Sequence, residues 1–197
     1  QMERLVWKEK LQAEINRVFA DDVTAHALTE NDFLERDKNK MARGHISINL
    51  DMGNAVLMHG KVIDGVSAMA VIVPATSPIL SQSIMVEIGC AATVDINRVH
   101  AHPLQKINVT GLVRLPQWSY FTPDNAMDKQ MWWRLDAKDF EHAFSQTFYD
   151  RFLSFENMND VMVGLRPCPV THVLTNDHLS YAVFWFTMAF VLVAMWG

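Results

Sequence analysis

The chain has 197 residues, half of them apolar and a fifth charged, enough for one domain whose core needs no disulfide or metal staple. Eight glycines and seven prolines exclude a collagen-like or low-complexity chain. The formal charge of −5 excludes a basic nucleic-acid binder, because neutralising phosphates requires a clustered positive surface.

Residues 3–20 are predicted to form an amphipathic helix. Trp7, Leu11, Ile15 and Val18 fall on one stripe, and Lys8, Lys10, Glu14 and Arg17 occupy the other faces. The polar residues 31–44 read as a surface connection. From His45 the period changes to two: Ile46, Ile48 and Leu50 share one face of a strand. The apolar runs Ala55–Met58 and Met69–Val73 flank Asp64-Gly65, a hairpin-turn dipeptide, and Pro74 and Pro78 are expected to close that pair. Ser83–Ile88 and Ala92–Ile96 read as a further short pair broken at Gly89.

Ile107–Leu115 is the clearest strand, ended by Pro116, which cannot donate to a ladder. Trp132–Leu135 reads as a short strand, and Asp136 as the N-cap of a helix running to about Phe144. Thr147–Phe155 and Val161–Leu165 complete the strands. Short strands at hairpin spacing with a few helices imply an α+β domain built on an antiparallel sheet or small β-barrel.

Every Asp, Glu, Lys and Arg lies at or before Asp177. From Leu179 to Trp196 only Ser180 and Thr187 interrupt the apolar run. As a helix this stretch rises about 27 Å, close to the ~30 Å of a bilayer's hydrocarbon core. A buried core helix is the alternative, but one apolar on every face needs a large protein around it. The division expected is therefore a soluble domain over 1–175 and a transmembrane helix over 176–197. The acidic domain before the span leans towards the non-cytoplasmic side. Gln1 in place of a start methionine reads as a processed or trimmed N-terminus, and no signal peptide is visible.

Motifs for chemistry are sparse. His100 and His102 would share one face of a strand, yet no third ligand or HExxH accompanies them, so a metal-dependent hydrolase built on them has little support. There is no GxSxG elbow and no glycine-rich phosphate loop. Cys90 and Cys168 are too few for a disulfide scaffold or a four-thiolate zinc site, and Cys168, between two prolines, reads as structural. The twelve methionines are scattered as core filling.

His178 stands apart, one residue before the charge-free run. On a helix, Tyr181, Ala182, Trp185 and Ala189 share its face. An imidazole over two alanines and two aromatics is a slot for a flat macrocycle with axial iron ligation. The alternative is that His178 is an interfacial residue and the alanines permit close packing on another spanning helix.

The stretch Asn176-Asp-His178-Leu-Ser-Tyr181-Ala-Val-Phe-Trp185 resembles the signature that opens the second transmembrane helix of the SURF1 family of cytochrome c oxidase assembly factors. Val109-Thr-Gly-Leu-Val-Arg114, Phe121-Thr-Pro-Asp-Asn125 with Trp132-Trp133-Arg134, and Arg4-Leu-Val-Trp-Lys8 resemble further blocks of that family in order. Ile88-Gly89-Cys90 stands where many relatives carry Arg-Gly-Trp. The resemblance implies a non-enzymatic assembly factor with two membrane spans, the first lying before Gln1. It implies the bacterial plasma membrane or mitochondrial inner membrane, with the domain in the periplasm or intermembrane space. Implied partners are the lipid bilayer, oxidase subunit I and other oxidase biogenesis factors. The implied cofactor is haem a, with His178 ligating the iron and Tyr181 and Trp185 lining the macrocycle. A cofactor-free scaffold holding an immature oxidase subunit is the alternative.

Overall fold

The alternation of Ile46, Ile48 and Leu50 is realised in a nine-residue strand that buries all three side chains, and its neighbours continue it into a closed ring. The computed structural model describes residues 10, 12–20, 25–102, 105–156, 164–168, 184–188, 191–192 and 195–196. In chain order the elements are α1 (12–18), β1 (His26–Ala27), α2 (Glu30–Leu34), β2 (Ala42–Leu50), β3 (Val56–Ile63), β4 (Val66–Thr76) and β5 (Ser83–Ala91). There follow α3 (Ile96–His100), β6 (Gln105–Arg114), α4 (Ala137–Phe144) and β7 (Phe148–Phe155).

The strands hydrogen-bond in the order β1-β2-β6-β7-β5-β4-β3, and β4 returns to β2 through Asn49↔Thr76 and Leu50↔Ala75. That second pairing closes β2, β6, β7, β5 and β4 into a small barrel, with β1 and β3 as flanking strands. Closure removes the exposed edges of an open sheet. Two pairings depart from the antiparallel expectation: β5–β7 and β1–β2 are parallel. Between β5 and β7 the chain traverses α3, β6 and α4, so it has the length that a parallel crossover requires and a hairpin lacks.

Ile46, Ile48, Leu50, Val71, Val73, Ile84, Val86, Val113 and Leu153 fill the barrel interior, and Val99 of α3 joins them. The opposite faces of β4, β5 and β7 are buried too: Ile72, Met85 and Phe152 pack under Trp132, Leu135 and Phe140 of the α4 layer. β5 is therefore almost wholly buried, and it reads in the sequence as an apolar run interrupted by Glu87 rather than as an alternating strand. Ile15 and Val18 of α1 cover Leu112 of β6. Where β6 meets β7, a Cβ on Gly111 would lie 2.5 Å from the Ser154 carbonyl oxygen, so only glycine permits that approach.

Local signals explain the turns. Asp64 and Gly65 adopt φ of 52° and 78°, the pair of left-handed residues that a type I′ hairpin needs. The Asp136 side chain accepts from Lys138 N–H at the start of α4. The surface connection after Leu34 is held from below by Arg151, which is 1 % exposed. Its guanidinium donates to the carbonyls of Glu35, Asp37 and Lys40 at 2.5–2.8 Å, so a buried charge is stabilised by three backbone dipoles.

Three expectations about the strands are corrected. Pro74 lies inside β4, opposite Met85, and does not close the hairpin; its carbonyl accepts from Asp51 N–H. β5 runs unbroken through Gly89, and Ala92–Ile96 is no strand, since α3 begins at Ile96 behind the Asp95 cap. Trp132 makes one isolated bridge to Met58 rather than a strand. Cys90 and Cys168 form a disulfide. Of the charge-free run, 184–188, 191–192 and 195–196 are helical and exposed. Among the described residues no helix is long and apolar enough to cross a membrane. The 175/176 boundary and most of Val161–Leu165 lie outside the described residues.

Two predictions follow from these ties. The disulfide joins residues 78 apart, and closing a loop of that size stabilises by about 4 kcal/mol through the unfolded chain. Reduction, or Cys168→Ser, should lower the denaturant midpoint of the full chain accordingly; an unchanged midpoint would show that the bridge contributes nothing. The Asp37 N–H and then Lys40 lower the Glu35 carboxyl from 4.5 to about 2. A depressed carboxyl stabilises the fold fully above its unfolded value and progressively less as pH falls through the folded one. The thermal midpoint should therefore drop between pH 4.5 and 2, with a flatter profile for Glu35→Gln.

Candidate functional site

A charge in the middle of Ile84-Met-Val-Glu87-Ile88 runs against the burial of its strand, and the structure shows how it is held. Glu87 is 1 % exposed on the outer face of β5. Ser154 of β7, its cross-strand partner, donates from Oγ to Glu87 Oε2 at 2.6 Å. Lys61 Nζ of β3 lies 2.7 Å from Oε1. Arg114 Nη2, at the end of β6, stands 3.5 Å from Oε2 and 3.4 Å from Ser154 Oγ, at the long limit of a hydrogen bond. The guanidinium carbon of Arg114 sits 4.7 Å above the Phe152 ring, a cation–π contact.

Local geometry places the cations. β3 bulges between Met58 and Lys61, with Gly60 at φ 84°; such bulges redirect the residues beside them. Burial pushes the Glu87 carboxyl upward, but Lys61 and Arg114 outweigh it and hold it below the ordinary carboxylate range. Burial lowers Arg114 from its usual value against the pull of Glu87. One carboxylate thus faces two cations, and the cluster carries a surplus positive charge.

That surplus lies in a groove of about 630 Å³ on the outside of the barrel. Lys38, Lys61, Arg114 and Arg134 line it together with Trp118, Phe121, Trp133 and Phe152. The wall formed by 122–135 is knitted by Asn125. Its Oδ1 accepts from Trp133 and Arg134 N–H at 2.7 and 2.9 Å, and its Nδ2 donates to Arg134 O and Asp139 Oδ2 at 3.0 and 2.7 Å. Arg134 in turn donates to Asp124 and to the Thr122 carbonyl. Both polar atoms of the Asn125 side chain are used, which locks the wall to α4.

Close to the groove, the Cys90–Cys168 disulfide ties the segment 164–168 to the end of β5. Cys90 and Arg166 also exchange backbone hydrogen bonds at 2.8 and 3.1 Å, and Arg166 pairs with Asp64 at the β3–β4 hairpin. Glu87, Cys90 and Cys168 bring their ligand atoms within 4.8 Å, but the disulfide leaves neither sulfur as a thiolate, the form that ligates metal.

The residues expected to hold haem are not brought together among the described residues. His178 and Tyr181 lie outside them. Trp185 is 61 % exposed on the helical stretch 184–188, its ring 5.8 Å from that of Phe184. His100 is not on a strand: it ends α3, with Nε2 2.8 Å from the Ala55 carbonyl, and His102 follows in the next turn. Neither histidine belongs to a metal-competent cluster among the described residues. Sequence reasoning missed Glu87, Lys61, Arg114 and the disulfide; the one available signal was a carboxylate inside an apolar run.

Glu87→Gln should expose the balance of this cluster. It leaves Lys61 and Arg114 facing each other without a counter-charge, at a cost of about 3 kcal/mol. Its unfolding midpoint should fall well below that of an exposed-site control such as Asp150→Asn, and equal midpoints would show that the carboxylate is dispensable.

The family model described as the SURF1 family matches residues 1–190, a span that takes in the barrel, the groove, the disulfide and the Asp177-His178 region. No curated protein matches the chain. With nearly its whole length covered, the chain belongs to the SURF1 family.

Proposed function

We propose that this chain is a membrane-anchored assembly factor for cytochrome c oxidase, acting without enzymatic chemistry to help haem a reach subunit I. Membership of the SURF1 family over residues 1–190 is the observation that carries this reading. In it, residues 1–175 stand in the periplasm or intermembrane space and 176–197 cross the bacterial plasma membrane or mitochondrial inner membrane. Two features support that placement. The run 179–196 has no charged side chain, and the Cys90–Cys168 disulfide suits an oxidising compartment.

In the same reading His178 ligates the haem iron while Tyr181 and Trp185 line the macrocycle. The donor set fits: a neutral imidazole is a common axial ligand, and the indole of Trp185 is exposed rather than committed to a core. The bilayer, subunit I and other biogenesis factors are the partners. A cofactor-free scaffold is the second reading, favoured by the surplus positive charge and aromatic lining of the groove, which offer a surface for holding an immature subunit without haem.

Cells making haem a and lacking this chain should lose haem a from their oxidase and regain it on complementation; full oxidase maturation without the chain would overturn the assembly role. The full-length protein, purified in mild detergent from such cells, should show a Soret band that His178→Ala abolishes. Equal or absent bands in both would remove His178 from the ligand role and leave the scaffold.

A further inference from the structure

Between β6 and α4 the chain raises three aromatic side chains into solvent: Trp118, Tyr120 and Phe121, with Tyr120 and Phe121 at 93 % and 88 % exposure. Local hydrogen bonds organise the turn that carries them. Thr122 N–H donates to the Ser119 carbonyl at 3.0 Å, Ser119 N–H to Thr122 Oγ1 at 3.1 Å, and Phe121 N–H to Ser119 Oγ at 3.3 Å. Tyr120 and Phe121 meet edge to face at 5.5 Å, and Arg134 lies over the Trp118 ring at 6.0 Å. A turn built in this way holds apolar area in water, and exposed apolar area marks a contact surface.

Behind the turn lies the groove with its uncompensated charge. Lys61 and Arg114 share the single carboxylate of Glu87, and Arg114 Nε has no hydrogen-bond partner among the described residues. Lys38, exposed, adds a third cation to the lining. Ile15 of α1 lines the groove, and Cys168 brings its sulfur within 4.8 Å of the Glu87 carboxylate. The uncharged run begins at Leu179, eleven residues beyond Cys168, a reach of at most about 40 Å even when fully extended. Tryptophan and tyrosine favour the headgroup level of a bilayer, and cations beside them attract anionic lipid.

We propose that the 115–123 turn rests in the interfacial layer of the bilayer that anchors the chain, with Lys38, Lys61 and Arg114 of the adjoining groove facing anionic phospholipid headgroups. The groove would then lie against lipid, so that anything carried by 176–197 and anything held by the groove meet at one membrane surface. This rests on the reading that 179–196 crosses that bilayer.

The test uses the full chain in vesicles of phosphatidylcholine, with or without a minority of phosphatidylglycerol. A nitroxide is placed at Tyr120→Cys or, for comparison, at Arg98→Cys on α3, which caps the barrel and lines no part of the groove. The described cysteines are both in the disulfide, so neither competes for the label. At position 120 the nitroxide should be relaxed severalfold more by oxygen than by a water-soluble nickel chelate, and at position 98 the preference should reverse. Phosphatidylglycerol should strengthen the difference at 120, and Lys38→Glu should remove that strengthening.

A label at 120 open to nickel, in a chain that stays with the vesicles through an alkaline wash, overturns the proposal while the span stands. A chain released by that wash overturns both. Shielding from both reagents assigns the turn to a protein contact and overturns the lipid assignment, and burial indifferent to phosphatidylglycerol and to Lys38→Glu overturns the headgroup contact.

Discussion

A carboxylate excluded from water must be surrounded by groups that keep its charge, and on this barrel that requirement falls on Glu87. Meeting it takes one side chain from each of three other strands: Lys61 from β3, Arg114 from β6 and Ser154 from β7. The partners come from far apart in the sequence, so the ion cluster fixes how the flanking strand β3 sits over the outer wall as well as how β7 lies between β5 and β6. Replacing the group by apolar side chains of equal volume could be neutral for stability. The arrangement therefore makes most sense as a device that specifies geometry and leaves one positive charge at the groove.

The covalent bridge lies beside this cluster. Cys90 is three residues beyond Glu87 on the same strand, and its partner Cys168 belongs to the segment that leads towards the charge-free run. Backbone pairing with Arg166 and the Arg166–Asp64 ion pair reinforce the attachment. Whatever follows residue 168 therefore leaves the domain from a defined point near the groove rather than from a free tail. The exposed Arg166–Asp64 pair contributes little energy by itself; the disulfide and the two backbone hydrogen bonds carry the restraint.

How much of this was legible in the sequence depended on the range of each interaction. β2, β6, α4 and the Asp64-Gly65 turn follow from periods, caps and turn dipeptides, which are local properties of the chain. Gly89 reads as a breaker when its neighbours are unseen, which shortens β5 in the sequence; in the fold it pairs with Val71 beside a bulge. Pro74 likewise reads as a strand end, because proline cannot donate to a ladder; in the fold it sits within β4, its carbonyl accepting from Asp51 N–H. The Phe121–Asn125 and Trp132–Arg134 blocks were recognisable as family features, yet their interlocking through Asn125 depends on side-chain geometry that spacing does not encode. Glu87 and its cations depend on strand order, and strand order depends on the closure of β2 on β4.

Closure also decides where function can reside. A barrel of five strands has an interior only as wide as the side chains that fill it, and here Ile, Val and Leu occupy it while Val99 of α3 joins the same core. Opening that core to admit a ligand would cost several buried aliphatic contacts at once. Among the described residues, binding is therefore left to the outer surface. On the outer wall, α1 covers Leu112 and the α4 layer covers Met85 and Phe152, and the groove lined by Ile15 on one side and Trp133 on the other falls between these two covers. Its polarity is opposite to that of the acidic chain as a whole, since four of its lining residues are lysine or arginine in a protein of formal charge −5. A local field of that sign selects an anionic contact at close range even where the molecule's net charge repels one at a distance, because screening in physiological salt suppresses the distant charges beyond about 8 Å. The barrel thus works as a rigid support, and the asymmetric covering of its wall determines which chemistry it can meet.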